Sequence, residues 1–142
     1  MLELHPNRAL RQIMSAIYSA NGYMQQSSPW TLATQLKSIA SDTTGHEMHE
    51  LSKQGMSPED LEAKIDRIMY LEAETLRLVG IMLQAFIPDS AGKLLDMLGV
   101  RPDRRGWDWC VVGKDDAFGD PLIDLGKGKE GVQLFPALAS DF

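Results

Sequence analysis

The chain is predicted to be all-α: a small antiparallel helix bundle with an extended, loop-rich C-terminal tail packed back on it. Three observations predict this. Apolar residues recur at helical spacing in successive stretches before residue 99. Those stretches open or close on serine, proline or glycine, the residues that start and stop helices. After Gly99 the periodicity vanishes and Gly, Pro and Asp take over.

The first helix is expected over about residues 6–24. Pro6 suits a first helical position, where a missing N–H costs nothing. Leu10, Ile13, Met14, Ile17, Tyr18 and Asn21 fall on one helical face. Asn21 is the odd member of that stripe. Either it is buried and ties the helix to a neighbouring backbone, since a buried amide needs partners, or the helix frays at Gly22 and Asn21 caps its end.

The second helix is expected over about 28–40. Ser28 is a good N-cap residue, Pro29 sits in the first turn and Trp30 follows. Leu32, Ala33 and Leu36 give it a short apolar face. Residues 41–57 read as a polar connection.

The third helix is the longest, about 58–87. Ser57 caps it, Pro58 opens it, and Glu59, Asp60 and Glu62 complement the positive end of its dipole. Leu61, Ile65, Ile68, Met69, Glu72, Leu76, Val79, Leu83 and Phe86 trace its stripe. Gly80 lies on that face, where a missing side chain lets another helix come close. Pro88 ends it. A fourth helix, about 90–98, turns Leu94, Leu95 and Leu98 inward and closes on Gly99. The expected common core is Ile13, Ile17, Ile68, Leu76, Leu83 and Leu95. The tail, 99–142, holds apolar clusters too short for a second core. It is expected to fold back as extended segments, at most with one short β-pair. The 142 residues are expected to form a single, partial domain.

Composition narrows the function. No apolar run approaches the ~18–20 residues that span a bilayer, so no membrane partner is expected. The start, "MLELHPNRAL", is neither a signal peptide nor an Arg-rich transit peptide. The lone Cys110 excludes an intrachain disulfide and a cysteine-based zinc site. A formal charge of −6 argues against bulk attraction to nucleic acid, and no DNA partner is expected. The charge is unevenly spread, however: +1 over residues 1–36, −5 over 37–75 and −2 over 76–142. From Leu4 to Ser41 there is no Asp or Glu, so a polyanion meets no local repulsion there.

Chemical motifs are scarce. "HEMHE" (46–50) fails the H-E-x-x-H zinc spacing, because Glu50 stands four residues after His46. His46 and Glu50 share a helical face at best, and two ligands are not a metal site. "GKGKEG" (126–131) lacks a glycine five residues earlier, where Pro121 stands, and lacks a Ser or Thr after Lys127. Cys110 lies between Trp109 and Val111 with no nearby histidine and reads as packed rather than nucleophilic. The residues themselves point to binding, with no catalytic residue and no metal.

Three segments together resemble one family. They are "SANGYMQQSSPWTLA" (19–33), "ETLRLVGIMLQAFIPDSAGKLLDMLGV" (74–100) and "QLFPAL" (133–138). In order, spacing and type they are similar to the C-terminal anticodon-binding domain of methionyl-tRNA synthetase, in its bacterial and mitochondrial form. That domain has a helix ending in Ala-Asn-x-Tyr, then Pro-Trp, a long apolar helix, a proline turn into a Leu-Gly-ended helix, and a Leu-Phe-Pro tail. Each motif alone is weak, and the three agree in register from about Asn7 to Leu138. The family's catalytic domain, with its His-x-Gly-His-like and Lys-Met-Ser-Lys-Ser-like signatures, is absent from this sequence. So is an earlier helix that supplies an Asn and an Arg to the anticodon. The segment from Lys37 to Asp60 is also longer and more acidic than the usual connection.

The resemblance implies that Trp30, placed by Pro29, supports recognition of the CAU anticodon, with Asn21, Gln25 and Gln26 beside it. A ring held at a helix N-terminus offers its face to a splayed base, a stacking worth about 1–3 kcal/mol. The opposing reading is that Trp30 merely covers the end of the bundle. The implied partners are the anticodon loop of methionine tRNA and the missing catalytic domain of the ligase. ATP and methionine would bind that domain, leaving no cofactor in this chain, which alone is expected neither to activate methionine nor to charge tRNA. The implied compartment is the mitochondrial matrix for an organellar ligase and the cytoplasm otherwise. The other function open to the chain is a helical protein-interaction module that keeps the fold without binding RNA.

Overall fold

The computed structural model describes residues 5–41, 56–126 and 132–134. Among them are four α-helices: α1 (Pro6–Ser27), α2 (Pro29–Ser41), α3 (Pro58–Leu83) and α4 (Pro88–Met97). Two 3-10 turns follow, Pro102–Arg104 and Trp107–Trp109, and no strand occurs among the described residues. The chain is thus all-α. It divides into two compact units, the first Met1–Ile17 with Ala73–Phe142, the second Tyr18–Glu72.

In the second unit α1 runs through Gly22 without fraying and ends at Ser27. Asn21 therefore caps nothing, and it is exposed rather than buried. The turn into α2 rests on Ser28, whose φ of 43° lies in the left-handed region. Its amide donates to the Met24 carbonyl (3.0 Å) and its hydroxyl to the Gln25 carbonyl (2.8 Å). The Ser28 side chain thus finishes α1 instead of capping α2, because the left-handed turn points it back along the helix it leaves. Its carbonyl accepts the Thr31 amide (2.9 Å), which starts α2. Ile39 and Leu61 form the buried core of this unit, with Leu32, Leu36 and Met56 packed against them.

The start of α3 is a reciprocal capping box. The Ser57 amide donates to Asp60 Oδ2 (2.9 Å) and the Asp60 amide to Ser57 Oγ (3.1 Å). Hydrogen bonding of its carboxylate by the Ser57 amide first, and by the Ser57 side chain, holds the Asp60 carboxyl below its ordinary range.

In the first unit Ile81, Leu95 and Val100 are buried together, and Leu98, Trp109, Cys110 and Phe118 pack on them. A Cβ on Gly80 would meet Leu95 Cδ2 at 2.9 Å, so the missing side chain does admit α4 closely. Pro88 both ends the turns after α3 and opens α4, which begins earlier than the periodicity suggests. The end of α4 is a Schellman motif: the Gly99 amide bonds the Asp96 carbonyl and the Val100 amide the Leu95 carbonyl. Gly99 has φ 74°, and a Cβ there would lie 2.2 Å from the Asp120 carbonyl oxygen, so both conformation and space require glycine.

The tail does not use a β-pair among its described residues. Some of its backbone groups bond one another in short turns, and others are met by side chains and helix ends, as buried polar groups must be. Arg77, fully buried, donates from Nη1 to the Trp109 carbonyl and from Nη2 to the Val111 carbonyl, both 2.9 Å. Its other donors make a bidentate pair with Glu74, both at 2.7 Å, and Glu74 Oε1 also accepts the Gly113 amide at 2.8 Å. Gln84 reaches the Arg105 carbonyl, and Arg105 the Val100 carbonyl and Asp96. The Gly119 amide bonds the Leu98 carbonyl.

Of the expected core, Ile13, Ile68 and Leu95 are buried, and Ile17 and Leu83 are half-buried. Leu76 is 37% exposed, contrary to expectation. Ile68 belongs to the second unit and the others to the first.

Candidate nucleic-acid interface

Trp30 stands in the first turn of α2 and is 51% exposed. Pro29, just before it, is buried. The proline fixes the backbone at φ near −65° and anchors the turn, while the large ring remains in water. Such exposure is costly for an indole and draws attention to what lies beside it.

Beside it is a shallow depression of about 460 Å³ lined by Trp30, Thr31, Thr34, Gln35 and Ser38. Thr34 Oγ1 donates to the Trp30 carbonyl and Ser38 Oγ to the Gln35 carbonyl, both at 2.8 Å. With their protons used, these hydroxyls face a ligand as acceptors, and Gln35 offers both a donor and an acceptor. Among the described residues no acidic side chain lines the depression, and neither α1 nor α2 contains one.

Asn21, Gln25 and Gln26 are exposed on the last turns of α1, in the same unit as Trp30. None of them lines the depression, whose polar groups come from α2 itself. Thr34, Gln35 and Ser38 are not among the candidates that the sequence singles out. The signal was present: residues 30, 34 and 38 recur at helical spacing on one face of α2, with 31 and 35 beside them.

The rest of the chemistry is spare. No group of three His, Cys, Asp or Glu among the described residues can hold a metal ion. "HEMHE", and "GKGKEG" from Lys127 onward, lie outside the described residues. The Cys110 thiol lies 3.9 Å from the Leu78 carbonyl, to which it donates, and burial pushes its pKa up, away from a reactive thiolate. No helix among the described residues is long and apolar enough to cross a membrane.

Sequence comparison identifies the relatives. The chain is 31% identical over 141 residues to a probable mitochondrial methionine–tRNA ligase of Neurospora crassa, a match covering 90% of this chain and 19% of that protein. The chain is homologous to a part of the methionine–tRNA ligases. A methionine–tRNA ligase of Enterococcus faecalis is 24% identical over 138 residues, 97% of this chain and 16% of the relative. The mitochondrial methionine–tRNA ligase of Takifugu rubripes is 26% identical over 105 residues, 74% and 14% respectively. The chain thus spans about a fifth or less of the length of these ligases. No protein-family model matches the chain, and no solved structure does.

Proposed function

We propose that this chain is the anticodon-recognition part of a methionine–tRNA ligase, binding methionine tRNA through Trp30. The single observation that carries the reading is the half-exposed indole, set by a buried proline beside a hydrogen-bonding depression that no acidic side chain lines among the described residues. A base splayed from an anticodon loop stacks on the ring. Its edge then reaches Thr34, Gln35 and Ser38, with Asn21, Gln25 and Gln26 available to neighbouring nucleotides. The first turn of α2 adds the positive end of a helix dipole, which suits a phosphate.

The second partner in this proposal is the remaining part of a ligase, which would supply ATP and methionine binding and the charging reaction. The small share of each relative that the chain matches supports this. So does an apolar groove of about 730 Å³ on the first unit, lined by residues including Ile13, Met82, Phe86 and Trp107. The ligases named as mitochondrial among the relatives support an organellar origin.

The test is binding of the 142-residue chain to an RNA hairpin bearing the methionine anticodon loop. Trp30→Ala is expected to weaken binding about 10–100-fold, the equivalent of about 1–3 kcal/mol of stacking. Trp30→Phe should retain most of it. If Trp30→Ala binds as tightly as the unsubstituted chain, Trp30 is a packing residue and the anticodon role fails.

A further inference from the structure

Arg8 and Arg11 stand one turn apart on the first half of α1, both exposed. With His5, Asn7 and Gln12 they line a polar depression of about 370 Å³ on the first unit. Every other arginine of that unit is spoken for. Arg77 pairs with Glu74, Arg101 with Asp103, Arg104 with Asp115 and Arg105 with Asp96. Arg8 and Arg11 have no carboxylate partner among the described residues. They also lie in the long stretch, Leu4 to Ser41, that is free of Asp and Glu in a chain of charge −6.

We infer that Arg8 and Arg11 form a second RNA contact, a patch that binds the phosphodiester backbone. A guanidinium fork matches phosphate oxygens with two parallel hydrogen bonds, and it is less strongly hydrated than an ammonium group. At i and i+3 the two forks sit about 5–6 Å apart at their Cβ atoms, which lets them reach neighbouring phosphates of one strand. Asn7 and Gln12 flank them with amides suited to ribose hydroxyls, the group that marks RNA. The contact is independent of base identity. It contributes affinity and a salt dependence, where Trp30 contributes the base. The inference rests on the RNA-binding reading above, and its test is separable from that of Trp30.

The experiment measures affinity of the 142-residue chain for the anticodon hairpin, and for a blunt RNA duplex, across a salt series. Arg8→Gln/Arg11→Gln is expected to weaken both RNAs and to lower the slope of log K against log salt by about 1–2. Arg8→Lys/Arg11→Lys should keep most of that slope. Trp30→Ala should weaken the hairpin alone and leave the slope unchanged. If the Gln variant keeps both affinity and slope while Trp30→Ala loses hairpin binding, the patch is refuted and the anticodon reading stands. If the Gln variant loses slope while Trp30→Ala changes nothing, the patch stands and the anticodon reading fails. Absence of binding to either RNA by the unsubstituted chain overturns both.

Discussion

The first unit holds a tail of little regular structure against α3 and α4, and does so with charged side chains turned inward. Among its described residues the second unit is mostly helix, satisfies its backbone largely within its helices, and leaves most of its polar side chains to water. In the first, Arg77 and Glu74 are almost wholly buried, and together they meet the backbone at Trp109, Val111 and Gly113. Asp115, also buried in the first, pairs with Arg104 through Oδ1, and its Oδ2 has no hydrogen-bond partner among the described residues. In the second, Glu72 is the buried polar side chain among the described residues, and its Oε1 has no partner there. A buried charge is tolerable where irregular backbone needs donors and acceptors, and it is a liability where helices have already met that need.

The largest effect is expected at Arg77. Arg77→Met keeps much of the volume but strands the Glu74 carboxylate and two tail carbonyls. Breaking a buried pair in this way costs about 3–5 kcal/mol, a large part of a small domain's stability. Urea denaturation should show a much lower midpoint. Hydrogen exchange should lose protection at Gly113 and Gly119 before the interior amides of α2. If the unfolding free energy falls by less than about 1 kcal/mol, the tail is held by Trp109, Cys110 and Phe118 packing, and the contrast between the units fails.

This staple also marks where the sequence stops being legible. The helical stripe correctly points to Leu61, Ile68, Val79 and Leu95 because burial of regular helices follows a 3.6-residue period. Glu74 and Arg77, three residues apart, are not on the stripe that this period picks out. They are inside because carbonyls 32 and 34 residues further along need donors, a demand no local pattern carries. Ile81, off that stripe, is covered jointly by Leu95 of α4 and by Val100, Trp109, Cys110 and Phe118 beyond it, so part of its cover comes from the irregular tail. At the candidate site, Pro29-Trp30 stood out by its oddity, an aromatic opening a helix. The partners on its own face, Thr34, Gln35 and Ser38, were ordinary helix residues until the exposed ring gave them something to flank. Ser28 ends α1 although its type equally suits a helix start, and its left-handed φ decides which.

A middle-sized effect is expected at Glu72. Burial raises its carboxyl pKa above the ordinary 4.5. An acid raised in the folded state favours folding when protonated, and that contribution is lost as pH rises through the folded value. At pH 7 the charged form therefore burdens the fold. Glu72→Gln should stabilise the chain by about 1–2 kcal/mol at neutral pH, and the advantage should shrink to nothing as pH falls below about 4.5. Asp60 runs the opposite way. Its lowered pKa supports folding above the ordinary 3.8, and that support is lost in more acid solution. Asp60 is unchanged in the variant, so comparing Glu72→Gln with the unsubstituted chain at each pH isolates Glu72. A difference independent of pH would mean that Glu72 is not a buried ionising group.

The smallest effect tests how firmly the second unit sets its tryptophan. At Ser28, φ of 43° costs a non-glycine residue about 1 kcal/mol, offset in part by the hydroxyl bond to the Gln25 carbonyl. Ser28→Ala keeps the strain and forfeits the bond, so it should destabilise by about 0.5–1 kcal/mol. Ser28→Gly forfeits the bond and relieves the strain, so it should lie within about 0.5 kcal/mol of the unsubstituted chain. The gap between the two variants, about 1 kcal/mol, measures the left-handed turn free of the hydroxyl. The turn matters because Pro29 fixes only its own φ, and Ser28 sets the direction from which α2 leaves α1. With Trp30 placed by that direction, both variants should keep RNA affinity wherever they keep the fold, since each retains the same backbone path. Equal stabilities for the Ala and Gly variants would show that Ser28 does not hold a left-handed conformation, and the geometry assigned to the Trp30 turn would have to be redrawn.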